Sequence, residues 1–151
     1  MDLKSMLLPE KVVSFDFPGC EGLTFDLAFL SKESNQALYK KCQKTKFDRN
    51  RNEVEEFDDE LFLQLYVKSI IKGWKGFKLE YLNEFLLADF SGQEDTELDF
   101  SDENALDLMK NSVVFDNWIS GVITDLGNFT SNDSMKKLDA LKTTSENPVQ
   151  D

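Results

Sequence analysis

The sequence contains no histidine, which removes the commonest general base, proton shuttle and metal ligand of neutral-pH chemistry. Nucleophile pairs of the Ser–His and Cys–His kinds are excluded with it. Cysteine is scarce too: Cys20 and Cys42 stand far apart with no CxxC pair, and a chain of 151 residues can close a core without a disulfide framework. A reducing compartment is the expectation. The seven glycines form neither GxGxxG nor GxxxxGK[ST], so the common phosphate-cradling loops are missing. No apolar run reaches the length that spans a bilayer, and Met1 to Leu8 lack the apolar stretch of a secretory signal. A cytoplasmic protein is expected, in which the sequons Asn128-Phe129-Thr130 and Asn132-Asp133-Ser134 stay unmodified.

Positive charge is the other shortage. Seventeen basic residues against 29 acidic ones leave a net charge of −12, which repels phosphate backbones and anionic lipid surfaces, so neither nucleic acid nor membrane is an expected partner. The charge is also uneven. Lys40, Lys41, Lys44, Lys46, Arg49 and Arg51 form a basic run, and Glu53, Glu55, Glu56, Asp58, Asp59 and Glu60 follow at once. The plain reading is a solvated helix end meeting a solvated loop.

Carboxylates are plentiful, but those grouped at Asp95, Glu97, Asp99, Asp102 and Glu103 lie in a loop-like, exposed context, whereas general-acid work usually needs a buried site. A calcium loop counted from Asp89 fails as well, with Ser91 and Gln93 at its third and fifth positions and Glu94 where the sharp turn needs glycine. No catalytic residue, cofactor or metal site is expected. The chemistry points to a protein that binds another protein.

What the chain has in quantity is aromatic and aliphatic surface: 13 Phe, two Trp and three Tyr within a 40% hydrophobic composition. That is ample apolar material to offset the entropy of ordering one domain. Val13, Phe15 and Phe17, a Pro18-to-Gly22 turn, then Leu23, Phe25, Leu27 and Phe29 predict an N-terminal β-hairpin with one apolar face. Ser31 caps a predicted helix to about Lys44, and Thr45 to Phe57, with neither helical nor strand period, reads as a mobile loop. Asp58 caps the next helix, where Glu60, Gln64, Lys68 and Lys72 make one polar stripe and Gly73 closes the end; neighbours on most sides make it the expected central helix.

After Trp74-Lys75-Gly76-Phe77, the spacing of Leu79, Leu82, Phe85, Leu86 and Phe90 predicts another helix, and Ser91 to Phe100 a loop. Ser101 starts a short helix with Ala105, Leu106 and Met109, and Ser112 starts the last one, along which Phe115, Trp118, Ile119, Val122, Ile123, Leu126 and Phe129 form one face. The expected fold is α+β, mostly α, a hairpin packed on about five helices. Leu61, Leu65, Ile70, Phe85, Trp118, Ile119 and Val122 are its expected core. Residues 1–11 read as an arm, 12–130 as the domain and 131–151 as a flexible, disordered tail.

Surface contacts are the remaining functional candidates. Trp74 and Phe77, in a glycine-flanked turn, are candidate partner anchors, although Trp74 also fits as a plug between two elements. Phe47 and Phe57 flank the charged segment without periodic partners and divide between core and contact. In the tail, Met135, Leu138 and Leu141 recur every three residues, which suits a segment that orders on a partner or a plain linker.

The order and spacing of several short stretches resembles the tail assembly chaperones of bacteriophages with long, non-contractile tails. From about Val12 to Phe129 these are the hairpin ending Leu27-Ala28-Phe29-Leu30-Ser31, then Lys46-Phe47-Asp48, Asp59-Glu60-Leu61-Phe62, Gly73-Trp74-Lys75-Gly76-Phe77, Ser101-Asp102-Glu103-Asn104-Ala105 and Phe115-Asp116-Asn117-Trp118. The resemblance implies a small protein that binds the tape measure protein in the host cytoplasm, keeps it soluble while the tail tube assembles, and is absent from the mature virion. A longer frameshifted form would recruit the tail tube protein, and this chain would be the short form. A homo-oligomer is compatible with it. The alternative is an acidic inhibitor that imitates DNA charge to block a host or defence protein, drawing on the acidic runs Glu53 to Glu60 and Glu94 to Glu103.

Overall fold

The computed structural model describes residues 1–8 and 10–130. It has the expected mixed architecture, helices around small antiparallel sheets. The arm carries a single turn, α1 (Leu3–Met6), capped by Asp2 and exposed along its length. The predicted hairpin follows as β1 (Val12–Asp16) and β2 (Thr24–Ala28), with Val13 opposite Leu27 and Phe15 opposite Phe25. All four are buried, as a period of two on a one-sided sheet requires. Ser31 accepts from the Ser34 amide and opens α2 (Lys32–Cys42), which buries only Leu38 and Cys42.

The charged segment is not a loop but a second hairpin, β3 (Gln43–Phe47) and β4 (Glu53–Phe57), paired from Gln43↔Phe57 to Phe47↔Glu53. Its strands read as structureless in sequence because their regularity lies in charge rather than apolarity: Lys44 stands opposite Glu56, and Lys46 Nζ lies 2.6 Å from the same carboxylate. Asp48 makes the turn by accepting from the amides of Asn50 and Asn52, and Arg51 takes a left-handed φ of 60°.

Asp58 caps α3 (Asp59–Ile70) through the Leu61 amide. The helix stops earlier than its polar stripe suggests, because Ile71 is already extended in β5 (Ile71–Lys75), which pairs with β2 and makes the sheet three-stranded in the order β1-β2-β5. Gly73 is therefore a strand residue and not a helix cap. A β-carbon there would meet the Asp26 carboxylate at 3.2 Å. Leu61 and Leu65, expected in the core, are half-buried, since α3 lies over the sheet and turns only Val67 and Ile70 fully inward.

Beyond β5 the predicted helix contracts to a 3₁₀ helix, Leu79–Glu84. Ser101 and Ser112 cap α4 (Asp102–Asn111) and α5 (Val113–Ile123) as expected. The last helix does not run on to Phe129. It ends at Ile123, Asp125 accepts from the Gly127 amide, and α6 (Gly127–Thr130) restarts the chain, leaving Leu126 exposed. Buried Asn128 donates through Nδ2 to the Val122 carbonyl 3.1 Å away, which satisfies an acceptor freed by that break.

At the centre of the core, Phe25 is ringed by Phe17, Trp74, Phe77, Phe115 and Trp118, with ring centroids 5.2 to 6.3 Å away. Tilted and edge-on pairs of this kind add to the gain from area burial. Ile70, Phe85, Ile119 and Val122 are buried as expected, while Trp118 is half-buried, packed on Phe17 and Phe25.

Candidate functional site

The residues marked as candidate contacts separate sharply. Trp74 and Phe77 are 7% and 0% exposed, so both are core residues and the expectation that they anchor a partner is corrected. The glycine-flanked turn exists for packing. Gly76 takes a φ of +69°, and a β-carbon there would collide with the Gly22 carbonyl, so the turn closes directly onto the β1–β2 connection. Phe47, by contrast, is 68% exposed. Phe57 shares its face of the ribbon but is half-buried, packing on Tyr39 and Phe62 at ring distances of 5.5 and 5.6 Å. Met135, Leu138 and Leu141 lie outside the described residues.

Two surfaces emerge. The first is the β3–β4 ribbon. Phe57 and the bond from the Asp58 amide to the Cys42 carbonyl hold its base on α2 and α3, and Phe47 sits at its far end. Lys44 pairs with Asp58 at 3.2 Å and Lys46 with Glu56, whose carboxylate also raises the Lys46 pKa. Lys40, Lys41, Arg49 and Arg51 are exposed and make no ion pair among the described residues. The tip thus presents Phe47 among Asp48, Arg49, Arg51 and its cross-strand partner Glu53, charges of both signs.

The second surface is a groove of about 520 Å³ lined chiefly by Leu82, Leu86, Leu87, Leu98 and Leu108, with Asp107 on its rim. Leu82 comes from the 3₁₀ helix, Leu86 and Leu87 from just beyond it, Leu98 from the segment before α4, and Leu108 from α4 itself. The intervening segment is drawn back by bonds from the Leu79 amide to Thr96 and from the Leu98 amide to Phe77, at 2.8 and 2.7 Å. Leu87 is completely exposed. A lone exposed leucine is ordinary, but one beside four others at a groove is a contiguous apolar patch.

Charge marks this region as well. Between residues 79 and 109 stand Glu80, Glu84, Asp89, Glu94, Asp95, Glu97, Asp99, Asp102, Glu103 and Asp107, and not one Lys or Arg. Sequence reasoning missed the groove because its leucines come from three segments whose approach depends on backbone bonds. The unbroken acidic run was the one available signal. Among the described residues no cluster of three His, Cys, Asp or Glu could hold a metal ion, and no helix is long and apolar enough to cross a membrane. The groove itself offers an apolar lining beside Asn104, Asp107 and Asn111.

A family model described as YdaY prophage protein matches residues 31–140, well over half of the chain. Nothing among curated proteins and nothing among solved structures matches it.

Proposed function

The chain belongs to the YdaY prophage protein family and is phage-derived, and from that premise we propose that it is a tail assembly chaperone that binds the tape measure protein, acting by adhesion and not by catalysis. The observation that carries the reading is the leucine groove inside a segment with ten acidic residues and no basic one. Such a groove accepts the apolar face of an amphipathic helix, read as side chains three and four residues apart, and its rim favours positive flanks. The net charge of −12 then keeps the pair soluble and discourages stable packing between complexes. The order of short stretches shared with tail assembly chaperones supports the same reading, as does phage origin. Tube protein would enter later, through a longer form of the chain.

The test is co-expression with the tape measure protein of the same phage, followed by the soluble fraction and co-purification. Wild type should keep the client soluble, and Leu87→Asp, a change at a fully exposed position, should send most of it to the pellet while the chaperone stays folded. A client that is equally soluble without the chaperone, or that never co-purifies with it, defeats the proposal. Salt separates it from the DNA-imitating alternative. An apolar grip survives high ionic strength, whereas affinity built on phosphate-like charge falls steeply.

A further inference from the structure

We infer that the leucine groove selects its occupant along one edge, taking an amphipathic helix whose apolar stripe is bordered by hydrogen-bond donors, with a cation opposite Asp107. This choice of partner rests on the reading of the groove as the client's site and names the client surface that fits it. Asn104, Asp107 and Asn111 line the groove together with its leucines. They stand three and four residues apart on α4, so one polar side chain follows another at each turn along one side of the helix.

Bonds within the fold decide what this edge presents. Asn104 donates through Nδ2 to the Asp99 carbonyl at 3.0 Å, and Asn111 donates through Nδ2 to the Asp107 carbonyl at 2.7 Å. With their amino groups engaged on the backbone, both carboxamides keep Oδ1 to meet a partner. Among the described residues no donor bonds to either oxygen or to the Asp107 carboxylate. The edge is a row of three acceptors, and its middle member is charged.

Asp107 and Asn111 are exposed, so solvent meets their oxygens until the groove is covered. A covering helix displaces part of that solvent. An occupant with donors at this edge restores the bonds, whereas one with carboxylates there forfeits them and adds like-charge repulsion. The leucines hold any apolar stripe, and the edge discriminates between stripes. Residues 79–109 offer an anionic occupant no basic side chain, and Lys110, the next one, is paired with Glu60 at 3.7 Å.

The experiment titrates the full chain with two synthetic helical peptides of identical composition and net charge, both carrying the same leucine stripe. The first has Lys along both borders of the stripe and Glu on its back, and the second exchanges the two. Equal charge cancels the general pull of a chain of net charge −12, and filling both borders makes the result independent of the direction in which the helix lies. By fluorescence anisotropy, the first peptide should bind about tenfold more tightly than the second. Asp107→Asn should narrow that gap, and Asp107→Lys, at an exposed position, should abolish or reverse it with unchanged circular dichroism. Leu87→Asp should weaken both peptides. Equal binding of the two peptides by wild type, a gap that Asp107→Lys leaves intact, or no binding of either peptide would each overturn the inference. A client that co-purifies while the peptides bind alike defeats the edge and leaves the client reading standing; a client that never co-purifies while the peptides are told apart does the reverse.

Discussion

The indole Nε1 of Trp74 donates to the carbonyl oxygen of Leu98 at 2.8 Å, joining the third strand of the sheet to a wall of the leucine groove 24 residues away. Trp74 thus acts on the candidate site without touching a partner. Trp74→Phe keeps a ring in the aromatic cluster but leaves a carbonyl without its donor, at a cost of about 1 to 2 kcal/mol. Urea denaturation should register that loss, and exchange of the Leu98 amide should quicken beyond the global change. Unaltered exchange at Leu98 would mean that the bond does not hold the wall.

Gly76→Ala should be among the most damaging single substitutions in the chain. The added β-carbon is strained by the positive φ and runs into the Gly22 backbone, which cannot swing aside as a long side chain would. A loss above about 2 kcal/mol is expected from strain and overpacking together. Gly92 is the control: its φ is +82° but nothing lies near, so Gly92→Ala should cost only about 1 kcal/mol. Equal melting temperatures for the two variants would refute the assigned role of the close approach.

Core depth predicts a graded response. Ile119 is fully buried, and Ile119→Ala should cost about 2 to 5 kcal/mol through lost transfer energy and the cavity left behind. Leu65 is half-buried, so Leu65→Ala should fall below about 2 kcal/mol. Denaturation midpoints in the reverse order would place α3 deeper than described.

Asp58 links the fold to pH. Its carboxyl lies below the ordinary value of 3.8, first because it accepts from the Leu61 amide and then because Lys44 bonds to it. A depressed folded pKa contributes stability that is complete above the ordinary value and vanishes as pH falls through the lower folded one. Asp58→Asn keeps the cap and removes the charge. The stability difference between wild type and Asp58→Asn should therefore be present at neutral pH and shrink in strong acid, as followed by circular dichroism. A difference that widens in acid would reverse the assignment.

The ribbon should open more readily than the sheet beneath it. Two strands alone are marginal in water, and this pair is pinned at one end by Phe57 against Tyr39 and Phe62. Amide exchange at Lys46 and Phe47 should be far faster than at Phe25 and Leu27, and Phe57→Ala should bring the whole ribbon to the faster rate. Slow exchange in that variant would show that the ion pairs alone hold the strands.

The sequence by itself determined the elements whose signal is local. The alternation from Val13 to Leu27 made a one-faced hairpin, and Ser31, Asp58, Ser101 and Ser112 each cap the helix that was read from them, because a cap needs only its own side chain and an amide two or three residues on. Absent histidine and an acidic charge excess bounded the chemistry in the same direct way. Tertiary structure alone decided whatever depends on a distant partner. Ile71 to Lys75 could finish a helix or make a strand, and pairing with β2 chose the strand; the ribbon rests on cross-strand charges that no apolar period reveals; and Trp74, equally suited to a surface or a core, was buried by Phe25 and Leu98. The groove is the extreme case, since leucines between residues 82 and 108 become one surface only after the backbone bonds of Leu79 and Leu98 have folded the chain back on itself.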